Sequence, residues 1–375
     1  MSVVGARPNF MKIAPFVREL SRHPDRFVHH LVHTGQHYDH AMSDSFWQEL
    51  GIPAADTNLG VGSGTHAQQV GRTMIALEGV VKAWKPDWMV VVGDVNATCA
   101  ASITAKKEHV KLAHIEAGLR SFDPTMPEEI NRIVTDRLSD LLFTPDETAD
   151  RNLRAEGVAD AAIKRVGNIM IDTLEANRAR AEAMDVKAIV DSNLIRPAGR
   201  GELSLDRGYA VLTLHRPSNV DDRPVLESLV RFFLDELAPA MPLVWVLHPR
   251  TRKQLELFGL WHTVVSCPAV LLVEPLGYVE MVRLNLGARL MLTDSGGLQE
   301  ECCVLGTPCI TLRENTERPV TLRANGGTAE LAGHDINKIR QLFGIFRNLP
   351  RRPSRPPLWD GRTAERIVAA FLETT

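Results

Sequence analysis

The sequence predicts an α/β fold with two doubly wound domains, each built on a parallel sheet. The chain has 375 residues, 44% of them hydrophobic, which is enough for two domains with sizeable cores. Short apolar runs alternate with amphipathic stretches of helical length, and this alternation is a βα pattern. The runs are continuous rather than alternating in polarity, as expected for strands that helices cover on both faces.

The predicted strands follow a short first strand near residue 4. Each run ends in a residue that stops a strand or could bind a ligand. The runs are 27–35, 87–94, 110–118, 140–145, 209–215, 242–248, 269–275, 288–294 and 307–313. Because ligands of parallel sheets gather beyond the carboxyl ends of the strands, these ends are candidate sites.

A polar helical segment at about 168–193 and the loop-like segment 196–201 separate the two sets of strands. We interpret them as the crossover between domains and assign residues 1–170 to the N-terminal domain and 171–358 to the C-terminal domain. A breaker cluster at 351–357 precedes a last amphipathic helix at 362–373. This terminal segment, 359–375, is expected to pack back on the N-terminal domain.

Charge and composition exclude several classes of protein. Forty-three Lys and Arg against 46 Asp and Glu leave a net charge of −3, which gives no electrostatic case for binding nucleic acid or a membrane. The chain shows no signal peptide and no long apolar run, so we expect a cytoplasmic protein. The five cysteines form no CxxC pair, and no HExxH or DxD motif occurs, so no metal site is predicted.

The first candidate site is the segment 5–12, Gly-Ala-Arg-Pro-Asn-Phe-Met-Lys, which contains Arg7 and Lys12. A glycine turn that leads into a helix offers free backbone N–H groups to an anion, and the guanidinium of Arg7 could add a bidentate contact to phosphate. An ordinary turn with a solvated arginine is the alternative. The sequence lacks GxxxxGK[ST], and segment 60–64 does not fit GxGxxG, so P-loop and nicotinamide-dehydrogenase functions lose support.

The second candidate site is a set of three carboxylates, Asp94, Glu116 and Glu128, with Arg120 and Arg132 nearby in sequence. Asp94 and Glu116 end successive runs, and Glu128 opens a helix that starts at a proline. Taken alone, Glu128 could merely stabilise that helix. Buried carboxylates that share a site have separated pKa values, so the group predicts proton transfer near neutral pH.

The C-terminal half contributes histidines and arginines at two strand ends. His215 and Arg216 follow one run, and His248 follows the next. Arg216 suits phosphate, and His215 could donate a proton to a leaving group. Purely structural histidines are the alternative.

Segment 294–301, Asp-Ser-Gly-Gly-Leu-Gln-Glu-Glu, is the most specific element. Ser295, Gly296 and Gly297 at a helix start predict a cradle for a diphosphate. One turn later, Glu301 could accept hydrogen bonds from ribose hydroxyls. The polar loop that contains Arg318 is expected to close over the cleft.

These segments, in this order, resemble the non-hydrolysing UDP-N-acetylglucosamine 2-epimerases. The matching motifs span residues 5 to about 333. They are Gly-Ala-Arg-Pro (5–8), Thr-Gly-Gln-His (34–37), Val-Gly-Asp (92–94), His-Ile-Glu-Ala-Gly-Leu-Arg (114–120), Pro-Glu-Glu-Ile-Asn-Arg (127–132), His-Arg (215–216), His-Pro-Arg (248–250), Asp-Ser-Gly-Gly-Leu-Gln-Glu-Glu (294–301) and Thr-Glu-Arg-Pro (316–319).

The resemblance implies a GT-B-like architecture of two Rossmann-like domains with the active site in the cleft between them. It implies interconversion of UDP-GlcNAc and UDP-ManNAc through elimination of UDP, a 2-acetamidoglucal intermediate and re-addition. No nicotinamide or metal cofactor is needed in that family. Relatives are commonly dimers, so we expect a homodimer.

The resemblance also implies roles for single residues. Arg7, Ser295, Gly296, Gly297 and Glu301 would hold UDP, with His215 near the leaving diphosphate. The substrate would also contact Lys12, Arg120, Arg132 and Arg318. Asp94, Glu116 and Glu128 would handle the protons at C2 and the sugar hydroxyls.

An activator pocket for a second UDP-GlcNAc would include Gln36, His37, Arg216 and His248. The match to it is partial, because Asp39 and Ile75 stand where regulated bacterial members carry polar or basic residues.

Other functions remain open on the sequence alone. A hydrolysing epimerase that releases ManNAc and UDP would share these motifs. A glycosyltransferase of the same architecture would use the diphosphate cradle and need an acceptor. A non-catalytic nucleotide-sugar binding protein would need the cradle but not the carboxylates.

Overall fold

The computed structural model describes residues 1–35, 50–195, 204–206 and 208–374, with the side chain of Arg7 excepted. The chain divides into two units. The first comprises Met1–Ala176 and Pro356–Thr375, and the second comprises Asn177–Arg355. The boundary inferred from the sequence, at residue 170, lies a few residues before this division.

The described strands are short, and all sheet pairings between them are parallel. They are β1 (Ser2–Val4), β2 (Leu31–His33), β3 (Thr57–Asn58), β4 (Trp88–Val92), β5 (Lys111–Ile115), β6 (Leu141–Thr144), β7 (Ile163–Arg165), β8 (Ala210–Thr213), β9 (Leu243–Val246), β10 (Val270–Val273), β11 (Leu290–Thr293), β12 (Cys309–Thr311) and β13 (Ala329–Leu331).

Helices separate most successive strands. The described ones are α1 (Arg7–Leu20), α2 (His66–Trp84), α3 (Asn96–Lys107), α4 (Pro127–Leu138), α5 (Glu147–Ala155), α6 (Ile169–Glu182), α7 (Val186–Asn193), α8 (Pro217–Val220), α9 (Arg223–Phe232), α10 (Ala238–Ala240), α11 (Pro249–Leu257), α12 (Trp261–Ser266), α13 (Tyr278–Gly287), α14 (Gly296–Leu305), α15 (Ile336–Phe346) and α16 (Thr363–Thr374). No helix in these described ranges is both long and apolar enough to cross a membrane.

Both units have the doubly wound topology. The sheet of the first unit has the order β3-β2-β1-β4-β5-β6-β7, and that of the second has the order β10-β9-β8-β11-β12-β13. In each sheet the first strand of the unit lies beside the fourth, so the strand order reverses there. The predicted fold class, α/β with two doubly wound Rossmann-like domains, is confirmed.

The last helix, α16, belongs to the first unit. The ring of Phe371 lies 6.2 Å from that of Phe16 in α1 and 5.5 Å from that of Phe143 in β6, measured between centroids. The backbone N–H groups of Thr363 and Ala364 donate to the carboxylate of Asp172 in α6. The first unit is therefore completed by residues from the far end of the chain.

The predicted runs contain strands β2, β4 to β6 and β8 to β12, and a short first strand is also present. The sequence analysis missed β3, β7 and β13, all of which are edge strands of two or three residues. The single predicted helical segment at 168–193 is two helices, α6 and α7. The predicted loop 196–201 lies outside the described residues.

Candidate functional site

Several of the predicted site residues follow strands at the two points where strand order reverses. In the first unit, β1 leads into α1, and β4 leads into the turn that contains Asp94. In the second unit, β8 leads to His215, and β11 leads to Ser295. In open parallel sheets a crevice forms at such a point, and ligands bind there.

A buried ion pair joins Lys12 of α1 to Glu116 at the end of β5. The Lys12 ammonium donates to the Glu116 carboxylate, and the side chains are 8% and 4% exposed. Asn9, on the same helix, accepts from the N–H of Gly5 and donates to the carbonyl of Val92 at 2.9 Å. Asn9 thus fixes the start of α1 against the end of β4.

Glu116 has an unusual backbone conformation. Its φ is 75°, in the left-handed region that side chains other than glycine rarely occupy. Its N–H and that of Ala117 both donate to the carbonyl of Phe143 on the neighbouring strand, and these bonds hold the turn in place. Such strain persists only where the surroundings fix it, and it often marks a functional site.

Gly93 lies against this pair. Its φ is 68°, and a Cβ on it would come within 3.1 Å of the Lys12 ammonium and 3.3 Å of the Glu116 carboxylate. A side chain at this position would therefore press on the ion pair and would also be strained by the left-handed backbone. The turn that presents Asp94 and the Lys12–Glu116 pair consequently pack as one group.

Asp94 is paired with Arg132 of α4. Arg132 Nη2 lies 3.0 Å from Asp94 Oδ2, and the carboxylate is 24% exposed. The guanidinium of Arg132 also contacts Glu129, and the side-chain amide of Asn131 donates to the Asp94 carbonyl at 2.9 Å. Asp94 is thus held from two sides while part of its carboxylate stays accessible.

Glu128 is the second residue of α4, which begins at Pro127 as predicted. It is half-buried and lies one turn before Asn131 and Arg132, which contact Asp94. The structure therefore places Glu128 on the helix that holds Asp94. Its contact with a substrate stays a prediction.

Arg120 has a different environment from the one predicted. It is 3% exposed, and its guanidinium donates to Asp136 at 2.7 Å and to both carboxylate oxygens of Glu156 at 2.7 Å. A further bond goes to the carbonyl of Leu119. These contacts within the first unit make Arg120 part of the support for the site rather than a group directed at a ligand.

In the second unit, Asp294 orients His215. His215 Nδ1 lies 2.7 Å from Asp294 Oδ1, and the backbone N–H groups of His215 and Arg216 donate to the same carboxylate. Asp294 is fully buried, whereas the His215 side chain is 36% exposed. Burial would raise the pKa of Asp294, but these bonds outweigh it and hold the pKa below its ordinary value.

His248 lies beside His215, with ring centroids 5.5 Å apart. It caps α11 by accepting from the N–H of Arg250. The structure thus brings together three of the predicted residues, His215, Arg216 and His248. The predicted residues Gln36 and His37 lie outside the described residues, as does the side chain of Arg7.

The predicted cradle is the start of α14. Ser295 is its N-cap residue, and its own N–H donates to Thr293 Oγ1 at 3.0 Å. The N–H groups of the first turn of a helix have no partner within the helix and attract anions. A Cβ on Gly296 would lie 2.7 Å from Arg318 Nη1, so glycine is what allows this arginine to approach the helix start.

Arg318 is held by two carboxylates. Its Nε donates to Glu300 Oε1 at 2.6 Å, and Nη1 pairs with Glu317, which also pairs with Arg313 at 2.7 Å. The predicted closing loop thus brings a buried guanidinium to the cradle.

Glu301 lies on α14, one turn beyond the cradle, and is 3% exposed. Burial raises the pKa of Glu301 to about 8, with the charge of Glu300 acting in the same direction and Tyr278 opposing it. Its Oε2 has no hydrogen-bond partner in the described part of the chain. A buried acceptor of this kind suits the hydroxyl groups of a ligand.

Several supporting residues were not predicted. Asn9, Glu129 and Asn131 fix the catalytic candidates, and Asp294 was noted only as a strand end. Glu129 and Asn131 lie inside the motif 127–132. Their roles depend on the direction of their side chains, which a sequence motif does not reveal.

Comparison with known proteins is consistent with this geometry. Residues 18–372 match the protein family described as UDP-N-acetylglucosamine 2-epimerase. The UDP-N-acetylglucosamine 2-epimerase of Methanocaldococcus jannaschii is 40% identical over 369 residues, which cover 98% of this chain and 96% of the relative. A crystal structure of the enzyme from that organism, in complex with UDP-GlcNAc and UDP, has a TM-score of 0.89 at 39% identity and 99% coverage of both chains.

A relative named for another substrate has about the same sequence identity over a shorter length. The UDP-2,3-diacetamido-2,3-dideoxy-D-glucuronate 2-epimerase of Pseudomonas aeruginosa is 41% identical over 319 residues, 84% of each chain. Because the family match covers most of the chain and a relative of that name is 40% identical over 98% of it, the chain belongs to the UDP-N-acetylglucosamine 2-epimerase family.

Proposed function

We propose that this protein interconverts UDP-N-acetylglucosamine and UDP-N-acetylmannosamine without net hydrolysis. The observation that carries the proposal is the arrangement of Asp94 and Glu116. These carboxylates follow neighbouring strands, each has a cationic partner, and one sits in a strained backbone conformation. Positioned carboxylates of this kind can transfer a proton to and from a carbon atom.

The reaction inverts C2 by elimination and re-addition. A carboxylate of the first unit takes the proton from C2, the C1–O bond breaks, and its electron pair leaves with the β-phosphate oxygen of UDP. The products are 2-acetamidoglucal and bound UDP. Return of a proton to the opposite face of C2 and re-addition of UDP at C1 give the epimer. Asp94, Glu116 and Glu128 share the acid and base roles.

The second unit binds the nucleotide. The helix start at Ser295, Gly296 and Gly297, together with Arg318, holds the diphosphate, and Glu301 accepts from the ribose hydroxyls. His215 stabilises the charge that develops on the leaving oxygen, because Asp294 orients its ring. Arg7 and Lys12 contribute positive charge from the first unit.

The test is incubation with UDP-GlcNAc in D2O followed by identification of all products. Deuterium at C2 of recovered UDP-GlcNAc and UDP-ManNAc is the expected result. Free ManNAc with stoichiometric UDP would instead indicate a hydrolysing epimerase, and no exchange at C2 would contradict the proposal. The diacetamido-glucuronate nucleotide should be assayed in parallel, because the Pseudomonas relative carries that name.

A matched control exists for the key ion pair. Glu78 and Lys82 form an exposed Glu–Lys pair on α2. Glu78→Gln should therefore leave exchange at C2 unchanged. Glu116→Gln, which removes the same carboxylate chemistry from the site, should reduce exchange strongly.

We also propose a homodimer, which light scattering in solution tests.

Whether Arg216 and His248 bind a second UDP-GlcNAc is tested by the rate of UDP-ManNAc conversion with and without added UDP-GlcNAc. Ile75, in the place of a polar or basic residue of regulated members, is 76% exposed. We therefore expect conversion without an activator.

A further inference from the structure

Phe122, in the segment between β5 and α4, combines two features that disfavour this residue type at its position. Its φ is 58°, in the left-handed region that suits glycine and that bulky side chains rarely adopt. Its side chain is also 75% exposed, so a large apolar ring faces solvent. A single exposed apolar residue is common, but one on a disfavoured backbone is not. Glycine would fit this backbone better, so stability alone does not explain phenylalanine here.

Two other residues with a positive φ have an ordinary structural explanation. Lys85 and His109 lie just after α2 and α3, where the left-handed conformation commonly ends a helix. Glu116 and Phe122 instead both lie in the segment between β5 and α4. Backbone strain of this kind clusters at functional sites, and Glu116 is one of the proposed acid–base residues.

Glu129 of α4 holds Phe122 in this conformation. Its buried carboxylate accepts from the backbone N–H groups of Ser121 and Phe122 at 3.0 Å each, and from the hydroxyl of Ser121 at 3.0 Å. Asp123 also stabilises the segment, because its carboxylate accepts from the N–H of Thr125 at 3.0 Å. The backbone that carries the ring is therefore fixed by hydrogen bonds.

The same bonds connect Phe122 to the acid–base group. Glu129 pairs with Arg132, and Arg132 Nη2 lies 3.0 Å from Asp94 Oδ2. Two side chains, those of Glu129 and Arg132, thus link the backbone of Phe122 to the carboxylate of Asp94. The proposed reaction places that carboxylate beside the sugar of the substrate.

We propose that the ring of Phe122 contacts the sugar of the nucleotide-sugar substrate and contributes to its selection. The acetamido methyl group and the C–H groups of the sugar are apolar surface that an aromatic ring can cover. The ring leaves water only when the sugar is bound, so its exposure in the free protein favours binding. This inference rests on the proposed function, because it takes the sugar to lie beside Asp94.

The binding test compares a ligand that carries the sugar with one that lacks it. Phe122→Ala should weaken the binding of UDP-GlcNAc about 10-fold, the scale expected for truncation of an aromatic contact. The affinity for UDP should stay within about twofold of the parent. Calorimetry measures both. Equal losses for the two ligands, or no loss for either, would overturn a contact with the sugar.

Phe122→Gly separates the ring from the backbone on which it stands. Glycine removes the ring and also relieves the strain, so UDP-GlcNAc should bind about 10-fold more weakly while Tm stays at or above that of the parent. Phe122→Tyr keeps the ring and should bind UDP-GlcNAc within about twofold of the parent. Parent-like binding in Phe122→Gly, or a Tm well below that of the parent, would contradict a ring retained for the ligand.

A matched control is Val28→Ala. Val28 is 81% exposed and precedes β2, so it lies at the opposite end of the same sheet from the strand ends that carry the site. This variant should bind both ligands as the parent does. Light scattering on Phe122→Ala covers a further outcome: dissociation of a dimer would assign the ring to a contact between chains and overturn the proposal.

The outcomes for Phe122 and for the proposed function are distinguishable. Absence of C2 exchange in the parent, with a loss in Phe122→Ala that affects UDP-GlcNAc but not UDP, would overturn the proposed function and leave the sugar contact in place. Exchange in the parent, with unchanged KM and UDP-GlcNAc affinity in folded Phe122→Ala, would overturn the contact alone.

Discussion

Asp94 and Glu116 of the first unit and Glu301 of the second are held in opposite ways. In the first unit Glu116 is paired with Lys12 and Asp94 with Arg132, so the charges are compensated before a substrate arrives. In the second unit, Glu301 is buried beside another acid, and burial raises its pKa to about 8. The carboxylates of the first unit thus have cationic partners in place, as in a preorganised catalytic centre. The carboxyl of Glu301 in the second unit must instead be stabilised by a bound ligand or by taking up a proton.

The largest loss of activity is expected from Glu116→Gln. Gln keeps the shape but cannot take a proton and cannot pair with Lys12, so the rate of C2 exchange should fall about 10²–10⁴-fold. Deuterium incorporation measured by mass spectrometry checks this result. UDP affinity should change much less than the rate, because most of the proposed nucleotide contacts lie in the second unit.

A more selective test is Asp294→Asn, which acts through His215. The rate should fall about 10²-fold, because the ring of His215 loses its charged acceptor, and an amide NH2 group in that place would favour the other tautomer of the ring. If Asp294 acts only through His215, the double variant with His215→Ala should be no slower than His215→Ala alone. Additive losses would contradict this dependence, and circular dichroism checks that each variant folds.

The smallest expected effect is a pH dependence of UDP affinity that comes from Glu301. Without a ligand its carboxyl is protonated below about pH 8. If ribose hydroxyls donate to its ionised form, binding lowers the pKa and releases a proton, so UDP should bind more tightly as pH rises towards 8, by at most about 10-fold per pH unit. Calorimetry in buffers of different ionisation enthalpy measures the released proton.

The control for this titration is Glu301→Gln, since UDP has a titrating phosphate of its own. The pH dependence that remains in Glu301→Gln belongs to the nucleotide.

Glu301 should also make the stability of the unliganded protein depend on pH. An acid whose pKa is raised by folding binds more protons in the folded state than in the unfolded state. The free energy of unfolding should therefore fall as the pH rises from about 4.5 to about 8. Glu301→Gln should therefore raise Tm more at pH 8 than at pH 5, and an equal change at both would contradict burial of a charge.

Much of the fold could be predicted because its strands are apolar and continuous. Runs such as 88–92 are buried on both faces and flanked by helices. A continuous apolar run between two amphipathic stretches can be recognised in one sequence without an alignment. The strands that were missed, β3, β7 and β13, lie at sheet edges, where one neighbour is absent and polar residues are tolerated. Their pairing depends on the adjacent strand rather than on their own composition.

The site was predicted in outline from strand ends and glycines. Asp94, Glu116, His215 and Ser295 lie where the topology places strand ends. The contacts of Arg120 could not be predicted, because sequence proximity to Glu116 does not reveal that Asp136 and Glu156 bind its guanidinium. Those partners lie 16 and 36 residues away in the chain, and only folding brings them together.

The return of α16 to the first unit has a consequence for biosynthesis. Phe371 and the N–H groups of Thr363 and Ala364 complete a domain whose other residues leave the ribosome first. The nascent first unit must therefore wait, with the surface around Phe16 uncovered, until the whole second unit has been translated. We expect the second unit to reach its native state first during synthesis, and the earlier-made half to depend on chaperones in the interval.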